Sequence, residues 1–403
     1  MAANELSFNQ IATVLNSVVK QATGQTAEVA TDTSTFVTQA TTALKTGYDP
    51  FLNALSQTLT RTIFSIRPYE SKFKGLEYSE SQWGNHVRKV KMSTREFSDD
   101  LAYKWPVAYE TGQDPVSGNG KTVDMYTINK PDAVQTNFYG KNVYSDHFTV
   151  FEDQLECATS PDGFGRLISM IMTNSTNMLE LARENIKRVT VANLIGAIID
   201  EGDDNRVVHL ITEYNTQSGI TEPLTATTVF QPQNFKAFTQ WAFARINNVS
   251  DLMTEYTNMF QTNLTGHNIL QLTPKRDQIA YILSPYQRQM EYMAIADVYH
   301  NNILNAVDAE LVNFWQSIQS PDSINITPGY VGADGSVKKG TAVDKSNVFG
   351  VLLDREAAGV AYTGQKMRPT PLNAAGSYTN FWIHETERNF NDLTEKAVVF
   401  LLD

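Results

Sequence analysis

From Gly163 to Ile199 the chain carries its longest unbroken periodic segment. Phe164, Leu167, Ile168, Ile171, Met172, Met178, Leu179, Ala182, Ile186, Val189, Leu194, Ile195 and Ile198 recur close to every 3.6 residues, and no proline interrupts them. The spacing predicts one continuous helix, about 50 Å long at roughly 1.5 Å per residue. Helices average only about 11 to 12 residues, so one this long must act as a spine along which other elements are laid. The acidic run Asp200 to Arg206, "DEGDDNR", ends it in a turn.

The pattern differs on either side of this spine. Phe8, Ile11, Ala12, Leu15 and Val18 share one helical face, and Gln25 to Lys45 is rich in Thr, Ala and Ser with little apolar periodicity. Pro50 then opens a second helical stretch, Phe51 to Phe64. Tyr69 to Val150 reads as short strands, with "ETGQDPVSGNGKT" as the turn of a long hairpin. A two-stranded hairpin is marginal alone in water, so this one must pack on another surface. After the spine we expect a strand at Val207 to Glu213, a helix from Phe235 to Phe260 behind Pro232, the strand "IAYIL" within Pro274 to Ser284, and a helix from Tyr286 to Tyr299. A surface loop or hairpin follows from Pro328 to Lys345. Strands and helices in this order describe an α+β chain, and 403 residues is enough for two or three cores.

Composition narrows the function classes. With 32 basic and 44 acidic residues the net charge is −12, which argues against tight nonspecific binding to phosphate backbones. Charged residues are only 19%, replaced by Asn, Gln, Thr and Ser. That balance suits a surface covered by copies of itself, because charge is depleted in interface cores. The single cysteine, Cys157, excludes an internal disulfide framework and fits a reducing cytosol. The start does not read as a signal peptide, and no run approaches the ~20 apolar residues needed to span a bilayer.

The end of the chain is the second constraint. "NVFGVLLDREAAGVAY" from Asn347 and "FWIHETERNFNDLTEKAVVFLLD" to Asp403 finish on an apolar run that reads as a core strand rather than a tail. This ending, behind a spine helix and an extended β-rich stretch, resembles the major capsid proteins of tailed bacteriophages with the Hong Kong 97-type fold. The resemblance covers the whole chain through the order of its elements. It implies an N-terminal arm (1–67), an extended loop and its base (68–150), a peripheral domain with the spine helix (151–228), an axial domain (229–368) and a return to the peripheral domain (369–403). It also implies a structural protein of the virion, assembled in the bacterial cytoplasm into hexamers and pentamers of an icosahedral shell. The implied partners are further copies, a scaffolding protein, a portal, decoration proteins and enclosed double-stranded DNA. An encapsulin-like nanocompartment shell is the alternative within the fold, and a cytosolic α+β enzyme the alternative outside it.

The residues that could carry chemistry are weaker than this frame. "DPVSGNGKT" (114–122) lacks the glycine that a phosphate-cradling loop needs, having Pro115 there. "HETER" (384–388) has Arg388 where a zinc-protease helix has its second histidine. His86, His147, His209, His267, His300 and His384 show no paired ligand spacing, so no metal or cofactor is expected. Cys157 lacks a local nucleophile signature, and Asp354, Arg355 and Glu356 after "VFGVLL" read as an ion-pair cluster at a junction. For assembly, Arg88, Lys89, Lys91 and Arg95 lie on one arm of the hairpin, whereas Asp200, Glu201, Asp203 and Asp204 follow the spine. We expect the basic arm of one subunit to lie across the acidic turn of its neighbour, since opposed potentials fix register.

Overall fold

A computed structural model describes residues 12–13, 15–17, 19–20, 69, 71–78, 87–94, 132–138, 142–151, 161–220, 222–288 and 309–403. In chain order its elements are β1 (Glu77–Tyr78), β2 (Val87–Met92), β3 (Ala133–Phe138), β4 (Asn142–Phe151), α1 (Pro161–Glu201), β5 (Val207–His209), α2 (Leu210–Ser218), α3 (Pro232–Met253), β6 (Gln278–Leu283) and β7 (Ala309–Val312). The short β8 (Ile324–Ile326), β9 (Gly329–Val331), β10 (Val337–Lys339) and β11 (Val343–Lys345) follow, and then β12 (Val348–Asp354), β13 (Ala358–Pro369), β14 (Tyr378–Asn391) and β15 (Ala397–Leu401). Residues 12–20 are helical where described, with Ala12, Leu15 and Val19 buried. The expected helix at 51–64, the hairpin turn at 110–122, and Tyr286 to Tyr299 beyond residue 288 lie outside the described residues.

Two sheets organise the chain. The first runs β5-β15-β12-β6-β7. Its two central strands are buried along their whole length because both faces are covered. Val351, Leu353, Ala397, Val399 and Leu401 meet the C-terminal half of α1 through Val191, Leu194, Ile195 and Ile198. The alternate residues Leu352, Val398, Phe400 and Leu402 meet α3 through Phe238, Ala242, Ile246 and Val249. Successive side chains of a strand point to opposite faces, so burial on both sides turns alternation into the continuous apolar runs seen in the sequence.

The second sheet runs β1-β13-β14-β4, and its inner face lies on the middle of α1, around Arg183 and Ile186. This stretch corrects the periodic reading. Met178 and Val189, counted as core positions, are 47% and 55% exposed, whereas Glu180, Arg183, Glu184, Lys187 and Arg188 are buried. Each buried charge has a partner. Arg183 pairs with Glu180 at 2.9 Å and with Glu385 of β14, and its guanidinium lies 4.5 Å from the Tyr362 ring. Lys187 donates to Ser71 at 2.8 Å and Glu77 at 2.5 Å. Arg188 pairs with Glu184 at 2.5 Å and donates to the Phe314 carbonyl. Desolvation of these groups is tolerated only because it is compensated. Helical periodicity marks a helix without saying which side faces inward; here the inward side of the middle stretch is ionic.

Other boundaries also move. α1 spans Pro161–Glu201, two residues beyond each expected end. Of the strand expected at Val207 to Glu213, only Val207–His209 pairs, parallel to β15. Leu210 and Ile211 start a helix that ends at Gly219, whose φ of 61° is left-handed. α3 stops at Met253, short of Phe260, and the Lys396 ammonium takes up the Met253 carbonyl at 3.2 Å and the Glu255 carbonyl at 2.7 Å. The Pro328 to Lys345 stretch forms the β9–β10 hairpin and β11, which pairs with β8.

The segment expected to return to the peripheral side, 369–403, is divided between the sheets. β14 joins β13 and β4, but β15 pairs with β12 and β5 in the five-stranded sheet. β13 meanwhile starts at Ala358, inside the range expected to be axial. The physical reason is that β14 is an alternately buried strand that needs one covered face, whereas β15 is buried throughout and needs two.

Gly196 marks the crossing of α1 over β8, where an added Cβ would lie 2.7 Å from Ile326 Cγ2. Alanine normally gains about 1 kcal/mol over glycine in a helix. Here overpacking, at about 1–3 kcal/mol, outweighs it. Gly196→Ala is expected to lower the denaturant midpoint, and the same change made with Ile326→Ala to be neutral or stabilising.

Candidate assembly surface

The hairpin β2–β3 pairs in antiparallel register, Val87 opposite Phe138 through Met92 opposite Ala133. Its alternation is inverted relative to an ordinary surface strand. Lys89 and Lys91 point into the subunit, whereas Arg88, Val90 and Met92 face outward, Val90 and Met92 being 60% and 56% exposed. Ala133 and Gln135 lie beside them on the outward face.

The lysines reach the turn between β14 and β15. Lys89 Nζ lies 3.2 Å from Asp392 and 3.0 Å from Glu395, donates to the Glu356 carbonyl at 2.6 Å, and is 3.6 Å from the Glu356 carboxylate. Lys91 Nζ lies 2.7 Å from Glu395 and 3.6 Å from Asp392, and donates to Thr394 at 2.6 Å. Asp392 and Glu395 are buried. Burial pushes the Asp392 carboxyl up, but Lys91 and Lys89, with hydrogen bonds from Thr394, outweigh it and hold the group below its ordinary range. Burial likewise pushes Lys89 down, and Asp392 and Glu395 reverse this, so its ammonium is held above the ordinary lysine range. Beyond the clamp, Thr94 N donates to the Asn268 carbonyl at 2.5 Å and Asp132 meets His267 at 2.7 Å.

The acidic turn after α1 has different partners. Asp200 accepts from Tyr330 at 2.8 Å and from Thr341, Glu201 accepts from Arg206 at 2.6 Å, and Asp203 accepts from the Asn205 amide at 3.0 Å. Asp204 and Arg88 are exposed, and Arg95 lies outside the described residues. The acids that engage Lys89 and Lys91 within the subunit therefore belong to the 392–395 turn of their own chain. Asp392, Thr394 and Glu395 were missed by sequence reasoning. The one available signal was the polar "NDLTEK" between two apolar strands. The 354–356 cluster is a junction: Asp354 accepts from Thr273 at 2.6 Å and from the Glu356 amide at 2.8 Å, and Glu356 meets Lys89.

Of the histidines, His209 meets Asp403 at 2.5 Å, His384 meets Ser145 at 2.7 Å, and His147 stacks on Trp382 at 4.5 Å. Cys157, His86, His300 and the 114–122 loop lie outside the described residues. No group of three or more potential metal ligands occurs among the described residues, and no described helix is long and apolar enough to cross a membrane.

A spine helix crossing two sheets, with a β-hairpin clamped at their junction, has clear counterparts among known proteins. The sequence profile described as "Phi29-like phage major capsid protein" matches residues 14–401. The chain belongs to that family. Its role is structural, in the capsid of the virion, as its resemblance to phage capsid proteins implied. In three dimensions it is similar to a chain of the capsid of Staphylococcus phage Andhra, with a TM-score of 0.53 at 10% identity over 84% of this chain and 87% of that one. It is also similar to a chain in the structure of the head fiber and inner core protein gp22 of native bacteriophage P68, with a TM-score of 0.52 at 9% identity over 83% and 85%. At such identities the likeness speaks for the fold, which is of the Hong Kong 97 capsid type. Comparison with curated proteins found no match.

The clamp sets a pH window. Asp392, with its carboxyl depressed, contributes stability above the ordinary carboxylate range that is lost as pH falls through its folded value. Lys89, held high, contributes stability that is lost only as pH rises past about 10.5. Lys89→Met with Lys91→Met leaves two buried carboxylates unpaired. It is expected to cost about 3–5 kcal/mol, read as a lower melting temperature and faster amide exchange across 87–94 and 133–138.

Proposed function

We propose that this chain is the shell-forming subunit of a tailed-phage head, many copies closing as hexamers and pentamers around double-stranded DNA. The observation that carries this reading is the hairpin with its two lysines, Lys89 and Lys91, turned inward. A strand whose lysines are consumed by its own subunit and whose Val90 and Met92 face out is suited to being covered by another copy. Interface cores are depleted in charge, and apolar area removed from water contributes roughly 25 cal/mol per Å².

The exposed side of α1 repeats the theme. Thr173, Asn174, Asn177, Met178, Leu181, Asn185 and Val189 are exposed without a charge among them. Copies of a chain with net charge −12 repel one another, and uncharged faces are where they can meet. A scaffolding protein that sets curvature and a portal at one vertex complete the assembly in the bacterial cytoplasm.

Electron microscopy and sedimentation of the full-length chain, expressed alone and with its neighbouring genes, test the proposal. Closed shells or rings of five and six are expected; a stable monomer under both conditions overturns it. Val90→Glu with Met92→Glu is expected to abolish shells while leaving the melting temperature within about 0.5 kcal/mol equivalent of wild type, as surface changes do.

A further inference from the structure

The second sheet ends on an open strand. β4, Asn142–Phe151, pairs with β14 over its whole length and with no other described strand. At 10 residues it is longer than the usual strand of about five or six, and a long open edge is a template for another strand. Tyr144, Asp146, Phe148 and Val150 stand opposite Glu385, Ile383, Phe381 and Thr379 on the face toward α1, and the odd-numbered residues share the other face. Of these, Val143, Ser145, His147 and Phe151 are exposed, Val143 at 56% and Phe151 at 46%. The His147 amide donates to the Asp146 carboxylate at 2.8 Å. In an antiparallel pair the N–H and C=O groups of successive residues turn alternately toward and away from the neighbour. An amide taken up by its own chain's carboxylate therefore marks the odd-numbered residues as those whose backbone turns to the open edge.

We propose that this edge is a twofold contact, β4 of one copy pairing antiparallel with β4 of a second and joining two four-stranded sheets into one. The contact rests on the shell reading above and names the strand through which two subunits meet. Self-complementarity points to a second copy as the occupant. Opposed residues of an antiparallel pair share a face, so a twofold axis normal to the sheet passes through one residue, which then faces its own equivalent. With the axis at His147, Val143 meets Phe151 and Ser145 meets Thr149. Apolar side chains then cover each other and hydroxyls pair, the combinations that stabilise opposed strands. The two His147 rings meet in the middle, each stacked on its own Trp382 at 4.5 Å, and Asp146 lies across from Phe148. Moving the axis one residue back sets Asp146 against Asp146, a destabilising like-charge pair. Moving it one forward sets Asp146 against Val150 and Ser145 against Phe151. β4 holds no lysine or arginine, and no carboxylate lies in its odd-numbered row, so copies of a chain with net charge −12 meet there without repulsion along that row.

Disulfide trapping tests the pairing and its register. In a Cys157→Ser background of the full-length chain, expressed alone and with its neighbouring genes, His147→Cys places two thiols on directly opposed residues. Their Cα atoms would lie about 4.5–5.5 Å apart, within the range a disulfide spans. Ser145→Cys sets its two equivalents four residues out of step, about 14 Å apart along the strands. Under mild oxidation His147→Cys is expected to run as a covalent dimer, and Ser145→Cys to crosslink at least tenfold less. Ser145→Pro removes an edge amide that β14 does not use, which an edge strand tolerates. It is expected to raise the concentration needed for assembly about tenfold, two hydrogen bonds being lost per contact. Ser145→Ala, which loses the hydroxyl's bond to His384 but keeps the amide, is expected to assemble at the wild-type threshold. Absence of the His147→Cys crosslink, equal crosslinking of Ser145→Cys, or equal thresholds for the proline and alanine variants overturns the contact. Electron microscopy of the same proteins separates this from the shell reading. Shells without the crosslink remove the edge contact alone, whereas a crosslinked dimer that never closes into shells or rings supports the edge contact and removes the shell reading.

Discussion

Lys187 is fully enclosed on the inner side of α1, and an ammonium there is tolerable only because Ser71, the Lys72 carbonyl and Glu77 surround it. That requirement draws the 71–78 segment against the helix. With the segment in place, Glu77 and Tyr78 form β1 beside β13, and Phe73 lies under Arg188 and against Tyr281 of the five-stranded sheet. Arg183 binds Glu385 in the middle of β14, which fixes which face of that strand meets α1. Ionic pairs on one helix thus set the register of the second sheet, a specificity that unlabelled apolar packing would leave looser.

The turn at 392–396 does the same work where the two sheets join. Asp392 and Glu395 hold the hairpin, Lys396 holds the end of α3, and the backbone of Leu393 accepts from Thr262. Because Lys89 and Lys91 are spent inside, the hairpin presents Val90 and Met92 beside Arg88, and the outer stripe of α1 presents methyl groups and amides. Such a division suits the structural capsid role of the family.

Much of the frame was legible in one dimension. The 3.6-residue repeat announced α1, Pro232 announced the start of α3, and the runs "VFGVLL" and "AVVFLL" announced strands, the last of them in the core. The capsid resemblance followed from their order. Less legible were the places where one residue type served an unusual environment. Met178 and Val189 were counted as core because period alone does not say which side of a helix is inward. Leu210 and Ile211 continued a strand in sequence but turn into α2 because β15 offers β5 only three partners.

The candidate site was half legible. Lys89 and Lys91 stood out as charges on an alternating strand, but their partners lie about 300 positions away, with sequence separations of 303 and 306 for the Lys89 contacts. What the sequence by itself determined was local: the elements, the apolar runs, the net acidity and the order that marks the family. Only the tertiary structure decided the pairings: which carboxylate meets which ammonium, and which sheet receives the last strand. Propensity and periodicity act over one or two turns of chain, whereas charge compensation and burial depend on distance in space, which the chain sets only when it folds.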